Sequence, residues 1–180
     1  MNSTMRRIFW SLLIHAGVLA LAGLLIYFLG QGQDVVAEET RRQYADQPSV
    51  LEDIRAESVW KLITWCILAL ATSWILSSIW LWIAERQRPT TPAEGAAKLG
   101  SWVLMLISAL LAMAIIGWSV IWRNNIQLDV AAGTLTQGMV IVGIATFLGY
   151  YLGTAMSVKT TMRPSVPLSG GLPNFSKASS

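Results

Sequence analysis

Apolar positions in this chain do not alternate with polar ones at a strand period, nor do they mark one face of a helix. They come in four long runs: Ile8 to Leu29, Leu62 to Ala84, Leu99 to Trp122 and Leu135 to Val158. The clearest is the second, where 23 residues between Lys61 and Glu85 carry no formal charge. A helix rises 1.5 Å per residue, so about 20 apolar residues cross a hydrocarbon core of about 30 Å. Each run meets that length and is apolar on every side, which suits lipid better than the rim of a soluble core. The pattern predicts an all-α integral membrane protein with four transmembrane helices in a small bundle. A soluble fold built from the same helices would have almost no polar surface to cover them.

The first run follows Arg6 and Arg7, and Val35-Val36-Ala37 offers a cleavage site, as in a secretory signal. Its 22 residues exceed the roughly 7–15 of a signal core, so it reads as a retained span.

Polar punctuation sets the helix starts. Ser49-Val50-Leu51-Glu52, Thr91-Pro92-Ala93-Glu94 and Thr134-Leu135-Thr136-Gln137 each match a capping box, in which a hydroxyl and a Glu or Gln side chain reciprocally satisfy first-turn N–H groups. No breaker separates Ser49 from Pro89, so the second helix is expected to begin near Val50 and project beyond the membrane. A short helix is expected within the 30–57 loop, around Val35 to Gln43. The third helix, or a short one leading into it, is expected from Pro92. Residues 1–158 then form the membrane domain. Residues 159–180, with Pro164, Pro167, Pro173, Gly170 and Gly171, read as a flexible tail that buries too little to offset its ordering entropy. Asn174-Phe175-Ser176 in that tail matches a glycosylation sequon.

Composition agrees with the pattern. Charged residues are 13% of the chain, about half the share of a soluble domain, and the mean hydropathy is +0.52. A net charge of +3 from scattered basic residues gives no nucleic-acid surface. Charge does orient the spans. Arg6, Arg7, Arg86, Arg88, Lys98, Lys159, Arg163 and Lys177 fall on one side, and Arg41, Arg42, Arg55, Lys61 and Arg123 on the other. The richer side is cytoplasmic by the positive-inside rule, so both termini are expected there, in a bacterial inner (cytoplasmic) membrane. Trp10, Trp80, Trp82 and Trp102 would then mark the inner interface, and Trp60, Trp118 and Trp122 the outer one. Trp74 alone falls near mid-span, where its N–H needs a partner.

Groups able to do chemistry at membrane depth are scarce. His15 is the one histidine and Cys66 the one cysteine. A bis-histidine haem site or a thiol redox pair would need a second residue of either kind. A proton-coupled transporter ordinarily needs an intramembrane acid, and none accompanies His15. The expected role of His15 is a neutral ring bonded to a neighbouring helix. No cofactor and no metal site is expected.

Helix packing carries a stronger pattern. Ala145, Gly149, Gly153 and Ser157 recur every four residues, as do Ala69, Ser73 and Ser77 on the second helix. Small residues at that spacing let backbones approach closely where lipid removes the hydrophobic drive between helices. Such stripes either close the chain's own bundle or dock another subunit. Arg86 and Arg88, beside Glu85, read as an interfacial stop signal at a helix end, or alternatively as a contact for anionic lipid or a partner's acidic surface.

Three functions follow in order. The first is a non-enzymatic structural or assembly subunit of a larger membrane complex for secretion, transfer or transport, whose partners are the lipid bilayer and other membrane subunits. The second is a small homo-oligomeric transporter or holin-like pore lined by Thr72, Ser73, Ser77 and Ser78. The third is a lipid-handling enzyme using Glu85, Arg86 and Arg88.

Overall fold

The computed structural model describes residues 3–32, 35–87, 91–123, 130–158 and 160–173. These residues are all-helical apart from connecting turns and one isolated bridge, and four of the helices are long and apolar enough to cross a membrane. The long helices are α1 (Ser3–Gly30), α3 (Pro48–Gln87), α5 (Leu99–Arg123) and α6 (Ala132–Ala155). The short ones are α2 (Glu38–Gln43) and α4 (Pro92–Ala96), followed by 3₁₀ turns at Thr160–Ser165 and Ser169–Gly171.

α3 packs against α1, α5 and α6, and α6 packs against α1, α3 and α5. α3 and α6 therefore form the centre, with α1 and α5 flanking them. Arg7 of α1 meets Glu85 of α3, and α4 lies on the first 3₁₀ turn, so the start of α1, the end of α3 and residues 160–173 share one end of the bundle. At the other end, Val36 bridges Val130 antiparallel, and the Ala131 N–H donates to the Val35 carbonyl at 2.9 Å. α3 has 40 residues, about 60 Å at 1.5 Å each, twice the thickness of a hydrocarbon core.

Of the three capping boxes, one caps its helix. Thr91 Oγ1 accepts from the Glu94 N–H at 3.3 Å, at the start of α4. α3 starts earlier than its box predicts: Pro48 takes the first helical position, where its missing N–H costs nothing, and the Gln47 carbonyl accepts from Val50 and Leu51. α6 likewise begins at Ala132, and Thr134 lies buried inside it. Its far end also differs from the 135–158 span. The helix stops at Ala155, and Met156 to Val158 continue as a turn held by the Leu152 and Thr154 carbonyls.

Residues 160–173 do not behave as their composition predicts. Met162 and Val166 are buried in the cluster formed by Trp80, Leu81, Trp102 and Tyr150. Tyr151 donates to the Pro167 carbonyl at 2.8 Å. Gly95 permits this docking, since a Cβ there would lie 1.9 Å from the Thr161 carbonyl oxygen. The prolines and glycines end the helix without preventing two apolar side chains from reaching the core. Residues 174–180, including the sequon, lie outside the described residues, as does Lys159.

Candidate functional site

Three four-residue spacings meet in the middle of the bundle. α1 contributes Arg7, Ser11 and His15. α3 contributes Ser73, Ser77 and, two turns on, Glu85. α6 contributes Ala145, Gly149 and Gly153, with Ser157 in the turn that follows. α1 runs antiparallel to both partners, so the rows lie alongside one another and form a buried seam. Ser11, Ser73, Ser77 and Ser157 are completely buried, as is Ala69 one turn before Ser73, and Ala145 and His15 are nearly so.

His15 sits where the two glycines leave room. A Cβ on Gly153 would be 2.7 Å from His15 Cε1 and 2.9 Å from Ser11 Oγ. A Cβ on Gly149 would be 2.9 Å from Leu70 Cδ2 and 3.0 Å from His15 Cδ2. The small-residue stripe of α6 thus faces α1 and α3 of its own chain, and the histidine fills the groove it makes.

Hydrogen bonds link His15, Ser11, Ser73 and Ser77 across the seam. His15 Nδ1 lies 2.8 Å from the Ser11 carbonyl, which can only accept, so Nδ1 carries a hydrogen. The Ser73 hydroxyl donates to the Thr146 carbonyl at 3.2 Å, and its oxygen lies 3.3 Å from His15 Nε2. Ser77 donates to the Trp74 carbonyl at 2.9 Å, which leaves Ser11 to donate to Ser77 across 3.2 Å. Both imidazole nitrogens therefore lie against polar atoms of the seam, and the single Ser73 hydrogen is shared between two acceptors. At the end shared with residues 160–173, the seam closes on the Arg7–Glu85 ion pair, whose side chains are 11% and 19% exposed. Two polar atoms there, Arg7 Nε and Ser157 Oγ, are buried with no hydrogen-bond partner among the described residues. At its other end the seam runs into apolar side chains, Leu70, Val142 and Ala22 among them.

The basic helix end is divided. Glu85 pairs with Arg7, whereas the Arg86 guanidinium stacks 3.8 Å over the Trp82 ring. Arg88 lies outside the described residues. Two tryptophans expected at the inner interface are instead in the core. Trp80 bonds Ser101 at 3.4 Å and Trp102 bonds Thr154 at 2.9 Å, each buried. Trp60 and Trp118, at the other end, are well exposed. The mid-span Trp74 has no partner for its indole N–H among the described residues.

Sequence reasoning missed Arg7, Ser11 and Thr146 as members of one site with His15. A signal was available: Arg7, Ser11 and His15 repeat the four-residue spacing of the glycine stripe inside an otherwise apolar helix. Among the described residues no group of three His, Cys, Asp or Glu could hold a metal ion. No known protein family, curated protein or solved structure matches the chain.

Proposed function

We propose that the chain is an integral membrane protein of the inner (cytoplasmic) membrane, with both termini in the cytoplasm, and that it serves as a non-enzymatic structural or assembly subunit of a larger membrane complex. The observation that carries this reading is the contrast between a closed interior and an open exterior. Inside, the small-residue stripes and the polar side chains of the seam engage one another within a single chain. Outside, α5 presents Leu104, Ile107, Leu111, Ile115 and Trp118, all about half exposed or more and spaced along one apolar stripe. Such a stripe suits lipid and a partner helix equally in chemistry, as do the exposed apolar side chains of α1 and α6, Leu21, Phe28 and Ile144 among them. The excess of Lys and Arg at the end shared by both termini supports the orientation.

The other two readings gain less from the geometry. A pore lined by Ser73 and Ser77 needs those hydroxyls on an open surface, and both are enclosed between α1, α3 and α6. An interfacial enzyme needs Glu85 and Arg86 to converge, and they engage different partners.

Purification in a mild detergent tests the proposal. Other membrane proteins should co-elute in fixed stoichiometry. Combined Leu104→Ala, Leu111→Ala and Ile115→Ala changes should release them while leaving the thermal stability of the chain nearly unchanged, because these side chains are well exposed. Elution of the chain alone, as a monomer or a homo-oligomer, would overturn the subunit role.

A further inference from the structure

The first four turns of α3 wall two adjoining open cavities, of about 360 and 510 Å³, that share Glu52 and Arg55. The first cavity lies toward α2, with Arg41 in its wall. The second runs down α3 past Val59, Trp60 and Ile63, with Tyr27 of α1 opposite. On α3 the lining residues fall at spacings of three and four, so they form one continuous helix face. That face is ordered by polarity: charged at Glu52 and Arg55, apolar at Val59 and Ile63. The exposed rings of Trp60 and Tyr27 stand at the transition, where an indole or phenol favours a membrane interface. Arg55 to Ile63 spans about 12 Å of helix, the distance over which an amphiphile changes from headgroup to hydrocarbon.

Charge selects the occupant. Two guanidinium groups and one carboxylate line the polar part, and a guanidinium matches phosphate oxygens with a planar fork of donors. Arg55 also pairs with Glu52 at 3.2 Å, yet its side chain remains 34% exposed and its five N–H donors exceed what that one carboxylate uses.

We propose that this groove binds one phospholipid from the leaflet opposite the termini. Arg41 and Arg55 hold its phosphate, and one acyl chain lies along Tyr27, Val59 and Ile63. The assignment rests on the reading that α3 crosses the bilayer, which is checked separately. In a Cys66→Ser background, a cysteine at Gln43 should label only from the outer face of sealed cells and one at Thr91 only from the inner face. Release of the chain by alkaline carbonate, or labelling of both sites from one side, would remove the membrane reading itself.

The groove is tested on the full chain, delipidated in dodecyl maltoside and titrated with phosphatidylglycerol, with bound lipid counted by native mass spectrometry. One tight adduct is expected. The Arg41→Gln/Arg55→Gln variant should weaken it about tenfold or more, since both charge-assisted contacts to the phosphate are lost. Ala56→Trp, which narrows the second cavity beside Arg55, should weaken it comparably. Arg42→Gln, whose partner is Glu38 on the exposed face of α2, should not. Unchanged thermal stability in each variant keeps a folding defect apart from a binding defect. The groove is excluded if the double variant or Ala56→Trp binds as Arg42→Gln does. It is equally excluded if inorganic phosphate displaces the lipid completely, because the acyl seat would then contribute nothing.

Discussion

Gly153→Ile should destabilise the bundle more than any other single small-to-large change on α6. Even the first added carbon would lie 2.7 Å from His15 Cε1 and 2.9 Å from Ser11 Oγ, inside van der Waals contact with both. Neither neighbour can retreat, because Ser11 and His15 are buried and bonded to Ser77 and Ser73. Overpacking of this kind costs about 1–3 kcal/mol. Displacing the imidazole also breaks hydrogen bonds between helices, each worth about 0.6–2 kcal/mol in a membrane. Thermal unfolding in mild detergent measures the loss. Cys66, fully buried on the neighbouring face of α3, reports it independently by becoming reactive to thiol reagents. Gly143→Ile is the control, since a Cβ at Gly143 meets nothing within 4 Å. Removing the ring as well, in His15→Ala/Gly153→Ile, should recover part of the lost stability. Equal stability of the Gly153 and Gly143 variants would mean that the seam does not hold the helices together.

The long helices were legible because a run of about 20 apolar residues is a local pattern that no connecting segment of this chain mimics. Each predicted run lies within one helix, save Met156 to Val158, and the errors of a few residues arose where backbone rules compete. At Pro48 a missing donor displaced the Ser49 cap, and at Ala155 the last carbonyls turned the chain early. The glycine stripe was legible because a four-residue period is a local property of one helix. What it faces is not local. Arg7 and Glu85 are 78 residues apart, and nothing near either names the other. Arg7 therefore read as an orienting charge, although it also closes the seam. The tail failed for a related reason. Proline and glycine frequency describes the backbone of residues 160–173 well, yet Met162 and Val166 become buried through contacts with Trp80 and Trp102, far away in sequence. Trp80 and Trp102 went astray in the same way: an indole near a span end favours the interface only when no neighbouring helix covers it.

Glu85→Gln should lower thermal stability by about 1–3 kcal/mol, below the 3–5 kcal/mol typical of breaking a fully buried pair, because both side chains keep some contact with solvent. The loss comes mainly from Arg7, whose guanidinium would stay largely enclosed with its charge unpaired. Arg7→Met in the wild-type background should cost less, since Glu85 is the more exposed partner and keeps a further interaction of its own. The double variant Arg7→Met/Glu85→Leu removes both charges and refills the volume with apolar groups. It should regain most of the stability, as replacement of buried ion pairs by packed side chains often does. A double-mutant cycle isolates the coupling. Added salt should change that coupling little, because shielded charges are screened less than exposed ones. The pair Arg42–Glu38, exposed on α2, supplies the contrast: its cycle should give a small coupling, within about 0.5 kcal/mol. If Glu85→Gln and the Arg42–Glu38 variants lose the same small amount, the Arg7–Glu85 contact is an ordinary surface pair. The seam would then end at Ser11 and Ser77, without an ionic closure.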